Sequence, residues 1–280
     1  IVDVEEYRLE EILNNKEVDC KPEESIYFDL EHYVYKKPKC IGVFGACVYN
    51  KKNKKINVTQ YMIENKSEVV DILLLAKKYF IKMKREGKKV IVTFAGNNDF
   101  TVIKYLFNKY GIYFDFEKEF KSIDIQKEYE KDMKISIGLK NLEKIFEVYR
   151  EGDVISGSNL AKTFHKVLKD KEYIQRMPKE KIETILQYNE QDVVNLYKIF
   201  INWKNYIKTE EDTKENDDFD EIKEIKTEQI INDIKEIDNE KNIEDVKKEQ
   251  ENNTNDNIII IEDNGQQEEN KEIDNSETII

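Results

Sequence analysis

Cysteine is scarce in this sequence, and long apolar runs are missing. There are three cysteines among 280 residues, and none belongs to a CxxC pair, which argues against a disulfide framework and against a zinc site. No apolar run reaches the ~20 residues that span a bilayer. No basic-then-apolar leader opens the chain. These absences predict a protein without disulfides or membrane segments, in the reducing environment of the cytoplasm.

Several common catalytic and cofactor motifs are also missing. The sequence has no GxGxxG motif, no phosphate-loop lysine motif and no constellation around a nucleophilic Ser or Cys. His32 and His165 have no second His or Cys at ligand spacing, so both are interpreted as structural or surface residues. Alternation along a strand predicts that His32 faces away from Glu31. The chemistry of this chain is therefore expected to depend on carboxylates.

Charge is distributed unevenly along the chain. The formal net charge is −13, but residues 209–280 contain 26 Asp and Glu against 8 Lys and Arg, so residues 1–208 carry a net +5. A mildly basic body is compatible with nucleic acid as a partner. Residues 209–280, the acidic tail, bury too little apolar surface to become ordered and are predicted to be mostly disordered. Binding of a protein partner is one predicted role of this tail. Residues 1–24 are predicted as a helical lead-in and 25–208 as the folded domain.

The order of strand and helix patterns predicts an α/β fold. A polar turn at 51–55 favours a hairpin between the second and third strand patterns. Apolar spacing then changes to i, i+3, i+4, which predicts a helix that ends at Gly87. A three-strand antiparallel meander plus βαβ units, flanked by helices, resembles the mixed sheet of the RNase H-like fold. The strand patterns lie at 25–31, 41–49, 56–63, 90–94 and 121–125.

Asp29 and Glu31 stand two residues apart at the end of the first strand pattern. Side chains alternate along a strand, so both carboxylates are predicted to point to the same face. Two like charges side by side repel each other unless a cation neutralises them, and Mg²⁺ prefers carboxylate oxygens. The alternative is that both residues only end the strand in solvent.

Two more acidic positions follow later in the chain. Asp99 comes after the strand pattern at 90–94, where it either caps the next helix or brings a carboxylate beside Asp29. Tyr188 and Asp192 are four residues apart on the last long helix pattern and therefore share a face. A tyrosine in that place can orient a water molecule for attack on a phosphodiester. The alternative is an ordinary helix with a core-facing tyrosine.

These elements occur in an order that resembles a known superfamily. Asp-x-Glu on a first strand, Asp at a strand-to-helix turn and Tyr-x-x-x-Asp on a late helix resemble the motifs of the DEDD, or DnaQ-like, 3′–5′ exonucleases, and the tyrosine is typical of the DEDDy branch. A closer resemblance is to the YprB family of bacterial RNase H-like proteins. The segments that carry it are 26–31, 94–99, 138–143, 150–157 and 188–194.

The resemblance implies a metal-dependent nuclease that uses two divalent cations, Mg²⁺ or Mn²⁺. In that assignment Asp29 bridges both cations, and Asp99 completes the second site. Glu31 and Asp192 hold the cation that activates water, and Tyr188 positions the nucleophile. The expected partner is nucleic acid, DNA or RNA, as a single strand or a 3′ end.

One turn departs from the pattern of the family. The family usually has an aromatic-Asn-Gly turn before the second-motif Asp, whereas here Phe94 is followed by Ala95 and Asn98 precedes Asp99. Loss of the polar amide at residue 95 is expected to weaken substrate positioning. It favours a second hypothesis, in which a catalytically weak RNase H-like module binds nucleic acid or a protein partner and is modulated by the acidic tail.

Three other features have both a structural and a functional interpretation. Asp124 ends a strand pattern, where it either caps the next segment or adds charge near the acids. Arg150 lies beside Gly152 and Gly157 and could bind a phosphate. The basic cluster at 77–89 contains aromatic residues, as single-stranded nucleic-acid sites do, although a solvated helix face explains it equally well.

Overall fold

The computed structural model describes residues 1–4, 7–152 and 155–208. This part of the chain is an α/β fold in which helices flank a single sheet. The acidic tail lies outside the described residues, so its predicted disorder and its predicted partner are not tested by the structure.

Six strands of the described residues form one mixed sheet. They are β1 (Val2–Asp3), β2 (Ser25–Tyr35), β3 (Lys37–Asn50), β4 (Lys55–Met62), β5 (Val90–Thr93) and β6 (Lys121–Asp124). Their order is β1-β4-β3-β2-β5-β6. β2, β3 and β4 form the predicted antiparallel meander, and β5 and β6 add in parallel on the other side of β2. The predicted mixed sheet is confirmed.

Helices of the described residues flank the sheet, and the first of the long ones ends, as apolar spacing predicts, just before Gly87. They are α1 (Val69–Arg85), α2 (Asn97–Lys109), α3 (Phe116–Glu119), α4 (Ile125–Met133), α5 (Leu139–Ile145), α6 (Gly157–Lys169), α7 (Lys179–Ile201) and α8 (Trp203–Tyr206). Gly87, with a φ of +86°, follows α1 in a left-handed conformation that glycine adopts without strain. None of the described helices is both long and apolar enough to cross a membrane.

The two faces of the sheet have different partners because side chains alternate along β2. The Phe28 ring packs edge-on against Phe80 of α1, with centroids 5.4 Å apart. The Tyr27 ring packs edge-on against Tyr197 of α7, also at 5.4 Å. Asp29 has the parity of Tyr27, so the strand directs its carboxylate to the face that α7 covers.

The strand ends determine where the acidic residues lie. β5 pairs with β2 only from Ser25 to Tyr27, so Asp29 and Glu31 continue past the last β5 pairing. α2 begins soon after β5 ends, which brings Asp99 to the same edge. In sheets with parallel strands, binding sites commonly lie outside the carboxyl ends of those strands.

The prediction of a helix within residues 1–24 is wrong, because the described residues of this stretch contain no α-helix. Val2 instead adds as an edge strand to β4. The Asn15 side chain accepts hydrogen bonds from the backbone N–H groups of Glu17 and Val18, both at 2.9 Å. Such local side-chain bonds compete with helix formation, so tertiary pairing and an Asn turn override the weak apolar periodicity.

Candidate active site

Three of the predicted carboxylates converge between β2 and α7. One oxygen from each of Asp29, Glu31 and Asp192 lies within 4.8 Å of the others. Glu31 and Asp192 are buried, and Asp29 is half-buried. The strand period and the helix position therefore bring together side chains that are more than 160 residues apart in sequence.

Asp99 lies beside this group, outside the closest triad. It is the third residue of α2 and is 5% exposed, while Gly96 occupies the N-cap position. Burial and the negative charges of Asp29 and Glu31 raise the pKa of Asp99 well above its usual range. Asp99 is thus not a solvent-facing cap, and we call these four residues the acidic group.

Burial raises the pKa of each residue of the acidic group, and repulsion from neighbouring carboxylates adds to the shift for Glu31, Asp99 and Asp192. Desolvation raises the pKa of Asp29 to about 6, although a hydrogen bond from Asn189 opposes the shift. Desolvation and the charge of Asp29 raise the pKa of Asp192 to about 8. The same causes, with Asp192 added, raise the pKa of Glu31 well above its usual range. A divalent cation would favour the charged forms, so the acidic group is chemically suited to hold one.

Asn189 of α7 holds Asp29 in place. Its Nδ2 donates to Asp29 Oδ2 at 3.1 Å, and its Oδ1 accepts from Gln60 Nε2 at 2.9 Å. Gly45 on β3 pairs with Asp29 and leaves the space for the amide, since a Cβ there would lie 2.1 Å from Asn189 Oδ1. The orientation of Asp29 therefore depends on contacts among β2, β3, β4 and α7.

A buried cation faces the acidic group. Arg150, in the loop between α5 and α6, donates to Asp192 Oδ1 and to both carboxylate oxygens of Glu143. Its guanidinium lies 5.0 Å from the centre of the Tyr188 ring, and Lys140 Nζ lies 5.2 Å from the same ring. Burial raises the pKa of the Tyr188 hydroxyl, with a contribution from the Asp192 charge, so this hydroxyl is protonated at neutral pH.

Three of these acids, Asp29, Glu31 and Asp192, line one open cleft of about 340 Å³ together with Lys140, Arg150 and Tyr188. Its walls come from β2, from the segment Gly138–Asn141 at the start of α5, and from α7. A larger groove of about 480 Å³ lies between the end of α6 and the start of α7, and it contains none of the acidic group. The smaller cleft is therefore the one that carries the chemistry.

Asp124 holds the turn before Asp99 through two backbone N–H groups. Ala95 adopts a positive φ of +51°. Its backbone N–H donates to Asp124 Oδ1 at 3.0 Å, and the N–H of Gly96 donates to Oδ2 at 3.1 Å. Asp124 also caps α4 by accepting from the Gln126 N–H at 3.1 Å. Both interpretations of Asp124 hold in part, because its charge also contributes to the raised pKa of Asp99.

His32 lies next to Asp99, at a point where the pairing of β2 is irregular. A register shift between Glu31 and His32 interrupts the pairing of β2 with β3, and His32 Nδ1 lies 3.9 Å from Asp99 Oδ1. Burial lowers the pKa of His32, so its ring is neutral at neutral pH. That His32 faces away from Glu31 stays a prediction, and its approach to Asp99 was not predicted.

Four residues that hold Asp29 or Arg150 in place were not predicted from the sequence. Glu143, Asn189 and Asn195 are at most 2% exposed, and each is a polar residue at a core-facing position of a helix. A polar residue among apolar ones at helical spacing was the available signal. Gly45 had no such signal, because its role depends on a contact with α7.

A match to a family model identifies the superfamily of this chain. A family model of the RNase H superfamily, RNase_H_2, matches residues 26–204. The chain belongs to the RNase H superfamily. The match includes Asp29 and Glu31 on β2 and Asp192 on α7, so the whole acidic group lies within this RNase H-like domain. A comparison with curated proteins gives no match.

Membership confirms the RNase H-like part of the sequence interpretation. Domains of this superfamily act on nucleic acids and typically use divalent metals, so the superfamily indicates a nucleic-acid hydrolase. The finer assignments, to the YprB family and to the DEDDy branch, stay predictions.

Proposed function

We propose that this RNase H-like protein is a metal-dependent nuclease that removes nucleotides from the 3′ end of a nucleic-acid strand. The observation that carries the proposal is the convergence of Asp29, Glu31 and Asp192 within 4.8 Å at the edge of the sheet. Lys140 and Arg150 line the same cleft and supply positive charge next to these carboxylates. Acids for cations and bases for phosphate, side by side, are what phosphodiester hydrolysis requires.

The acidic group supports two cation positions. Asp29, Glu31 and Asp192 would hold one divalent cation, Mg²⁺ or Mn²⁺, and Asp99 with Asp29 would hold the second. The raised pKa values of Glu31, Asp99 and Asp192 support this assignment, because burial and the charges of neighbouring acids disfavour their ionised forms without a cation. When bound, the cations would stabilise negative charge on the attacking and leaving oxygens of the phosphodiester.

The protein side chains around the acids bind and orient the reactants. Lys140 and Arg150 neutralise the phosphate as it enters the cleft. The protonated Tyr188 hydroxyl hydrogen-bonds the attacking water and does not act as a base, since burial keeps its pKa high. Asn189 keeps Asp29 oriented through its 3.1 Å hydrogen bond. Because Tyr188 does not act as a base, the carboxylates, with the cations when bound, would promote removal of the proton from water.

The size of the cleft supports action at a strand end. A volume of about 340 Å³ is near the lower end of ligand pockets, which run from roughly 300 to 1,000 Å³. That space suits a single terminal nucleotide better than paired duplex. The proposal therefore specifies single-stranded DNA or RNA with a free 3′ end.

The test is cleavage of 5′-labelled single strands by the 280-residue chain with Mg²⁺ or Mn²⁺, together with thermal unfolding. We expect stepwise 3′ shortening and a metal-induced rise in Tm, both lost in Asp29→Asn. Asp71→Asn is the matched control, because Asp71 is exposed on α1, which packs on the Phe28 face of β2 and not on the face that α7 covers. Cuts within the strand would contradict exonuclease action and indicate an endonuclease. No cleavage and no metal-induced shift would refute the nuclease.

A further inference from the structure

Arg150 is held in one orientation by a buried acid. Its side chain is 9% exposed, and its Nε and Nη2 atoms donate to Glu143 Oε2 and Oε1 at 2.7 and 2.6 Å. Glu143 is 2% exposed and is itself held by Asn195 Nδ2, which donates to Oε1 at 2.9 Å. A two-point contact between guanidinium and carboxylate fixes the plane of the arginine.

Two further contacts place this guanidinium at the acidic group. Nη2 also donates to Asp192 Oδ1, and the Tyr188 ring stacks on the guanidinium at 5.0 Å. Both neighbours line the cleft, as Arg150 does. The orientation that Glu143 imposes is therefore defined relative to the residues proposed to carry the chemistry.

One nitrogen of Arg150 has no partner. Nη1 is buried and makes no hydrogen bond, and it is the one charged group among the buried, unpartnered side-chain atoms of the described residues. A buried donor left unpaired is destabilising, and more so when it is charged. On a residue that lines a cleft, such an atom indicates an acceptor that is not part of the protein chain.

We infer that Arg150 Nη1 binds a non-bridging oxygen of the phosphate that enters this cleft. Glu143 and Asp192 occupy Nε and Nη2, so Nη1 is the donor that remains, and an anionic oxygen such as that of a phosphate makes the strongest hydrogen bond with it. Nη1 is closed off from bulk water, so the oxygen reaches it as the cleft adapts around the strand. Glu143 and Asn195 are positioning residues that act through Arg150. The identity of the phosphate as part of a nucleic-acid strand rests on the proposed function.

A methylphosphonate probe tests this contact without any cleavage. Binding of a fluorescent single strand to the 280-residue chain is measured in EDTA, with either a normal or an uncharged methylphosphonate linkage at its 3′ end. A charge-assisted hydrogen bond contributes about 1.5–3 kcal/mol, so the wild type should lose about 10-fold or more in affinity for the uncharged strand. Arg150→Met should bind the normal strand more weakly and should lose less affinity for the uncharged strand than the wild type does, since only Lys140 then faces the linkage.

Two variants separate phosphate binding from folding. Arg150→Met alone leaves the buried Glu143 charge unpaired, so the combination with Glu143→Gln removes both charges and should show the same reduced loss with the methylphosphonate. Arg176→Met is the matched control, since Arg176 is 58% exposed and pairs with Asp170 and Glu172. It should keep the full wild-type loss.

The outcomes distinguish this inference from the proposed function. Equal methylphosphonate losses in the wild type and in the Arg150 variants, or no loss in the wild type, would overturn the role of Arg150 even if the protein cuts strands. A loss that depends on Arg150 in a protein that cuts no strand with Mg²⁺ or Mn²⁺ would support the phosphate contact and refute the nuclease.

Discussion

Replacement of Gly45 by alanine tests how the position of Asp29 is maintained. Gly45 lies opposite Asp29 in the β2–β3 pairing, and the side chain of Asn189 fills the space above it. Asn189 in turn bonds Asp29 and Gln60. A methyl group at residue 45 therefore acts on Asp29 through one buried amide.

The magnitude follows from the distances. A Cβ at Gly45 would lie 2.1 Å from Oδ1 and 2.7 Å from Cγ of Asn189. Ordinary contacts are about 3.5 Å, so the amide must move by roughly 1 Å or more. Overpacking of this kind costs about 1–3 kcal/mol, and each buried hydrogen bond that is lost adds about 1 kcal/mol. A total of about 3 kcal/mol corresponds to a fall in Tm of roughly 6–12 °C.

The assay is thermal unfolding of the 280-residue chain in EDTA, followed by titration with Mn²⁺. Gly45→Ala should lower the Tm and also reduce the metal-induced rise, because Asp29 loses its partner. Gly157→Ala is the control, since nothing lies within 4 Å of a Cβ at that exposed position. Asn189→Ala removes the group that clashes, so Gly45→Ala should cost much less in that background.

Two results would refute this reasoning. One is a Gly45→Ala variant as stable as Gly157→Ala, which would mean that the backbone absorbs the methyl group. The other is an equal loss of stability with and without the Asn189 side chain, which would place the strain elsewhere. Either outcome removes Asn189 as the link between β3 and Asp29.

The backbone at Ala95 and the charge of the acidic group give two further tests. Ala95→Gly should raise the free energy of unfolding by about 1 kcal/mol, because Ala95 has a φ of +51° that glycine adopts without strain. The urea midpoint should therefore rise, and a lower midpoint would contradict this. The folded-state pKa values of Asp29 and Asp192 are raised to about 6 and about 8, so the folded state retains protons that the unfolded state has already released. Metal-free stability should therefore fall as pH rises from about 4 to about 8, while the Mn²⁺-induced rise in Tm grows. Thermal scans across this range check both trends, and a metal-free protein that gains stability with pH would be inconsistent with them.

Local pattern was enough to predict the fold and the positions of the acids. The two-residue spacing of Asp29 and Glu31 depends only on strand alternation, and the pairing of Tyr188 with Asp192 depends only on the helical repeat. The strand and helix order then predicted a sheet whose edge collects Asp99 as well. Each of these steps uses information contained within a few residues of sequence.

Contacts between distant segments were not predictable in the same way. Gly45 and Asn189 meet only because α7 packs over β3, and no local pattern links a glycine to an amide so far along the chain. The irregular pairing at His32 depends on the register of β3, and the approach of His32 to Asp99 depends on where α2 begins, so alternation along β2 did not predict that contact. Val2 joins β4 as an edge strand for the same reason, since its pairing partner lies on a later strand.

The acidic group is assembled by polar contacts that do not themselves require a cation. Asn189 orients Asp29, Glu143 orients Arg150, and Arg150 in turn contacts Asp192. A single guanidinium shared between two acids cannot neutralise the whole group, so the metal-free site retains repulsion that raises its pKa values. A geometry fixed by hydrogen bonds together with an unbalanced charge is an arrangement in which cation binding needs little reorganisation. The amide and arginine contacts therefore stabilise this domain, while the buried carboxylates destabilise it until a cation binds.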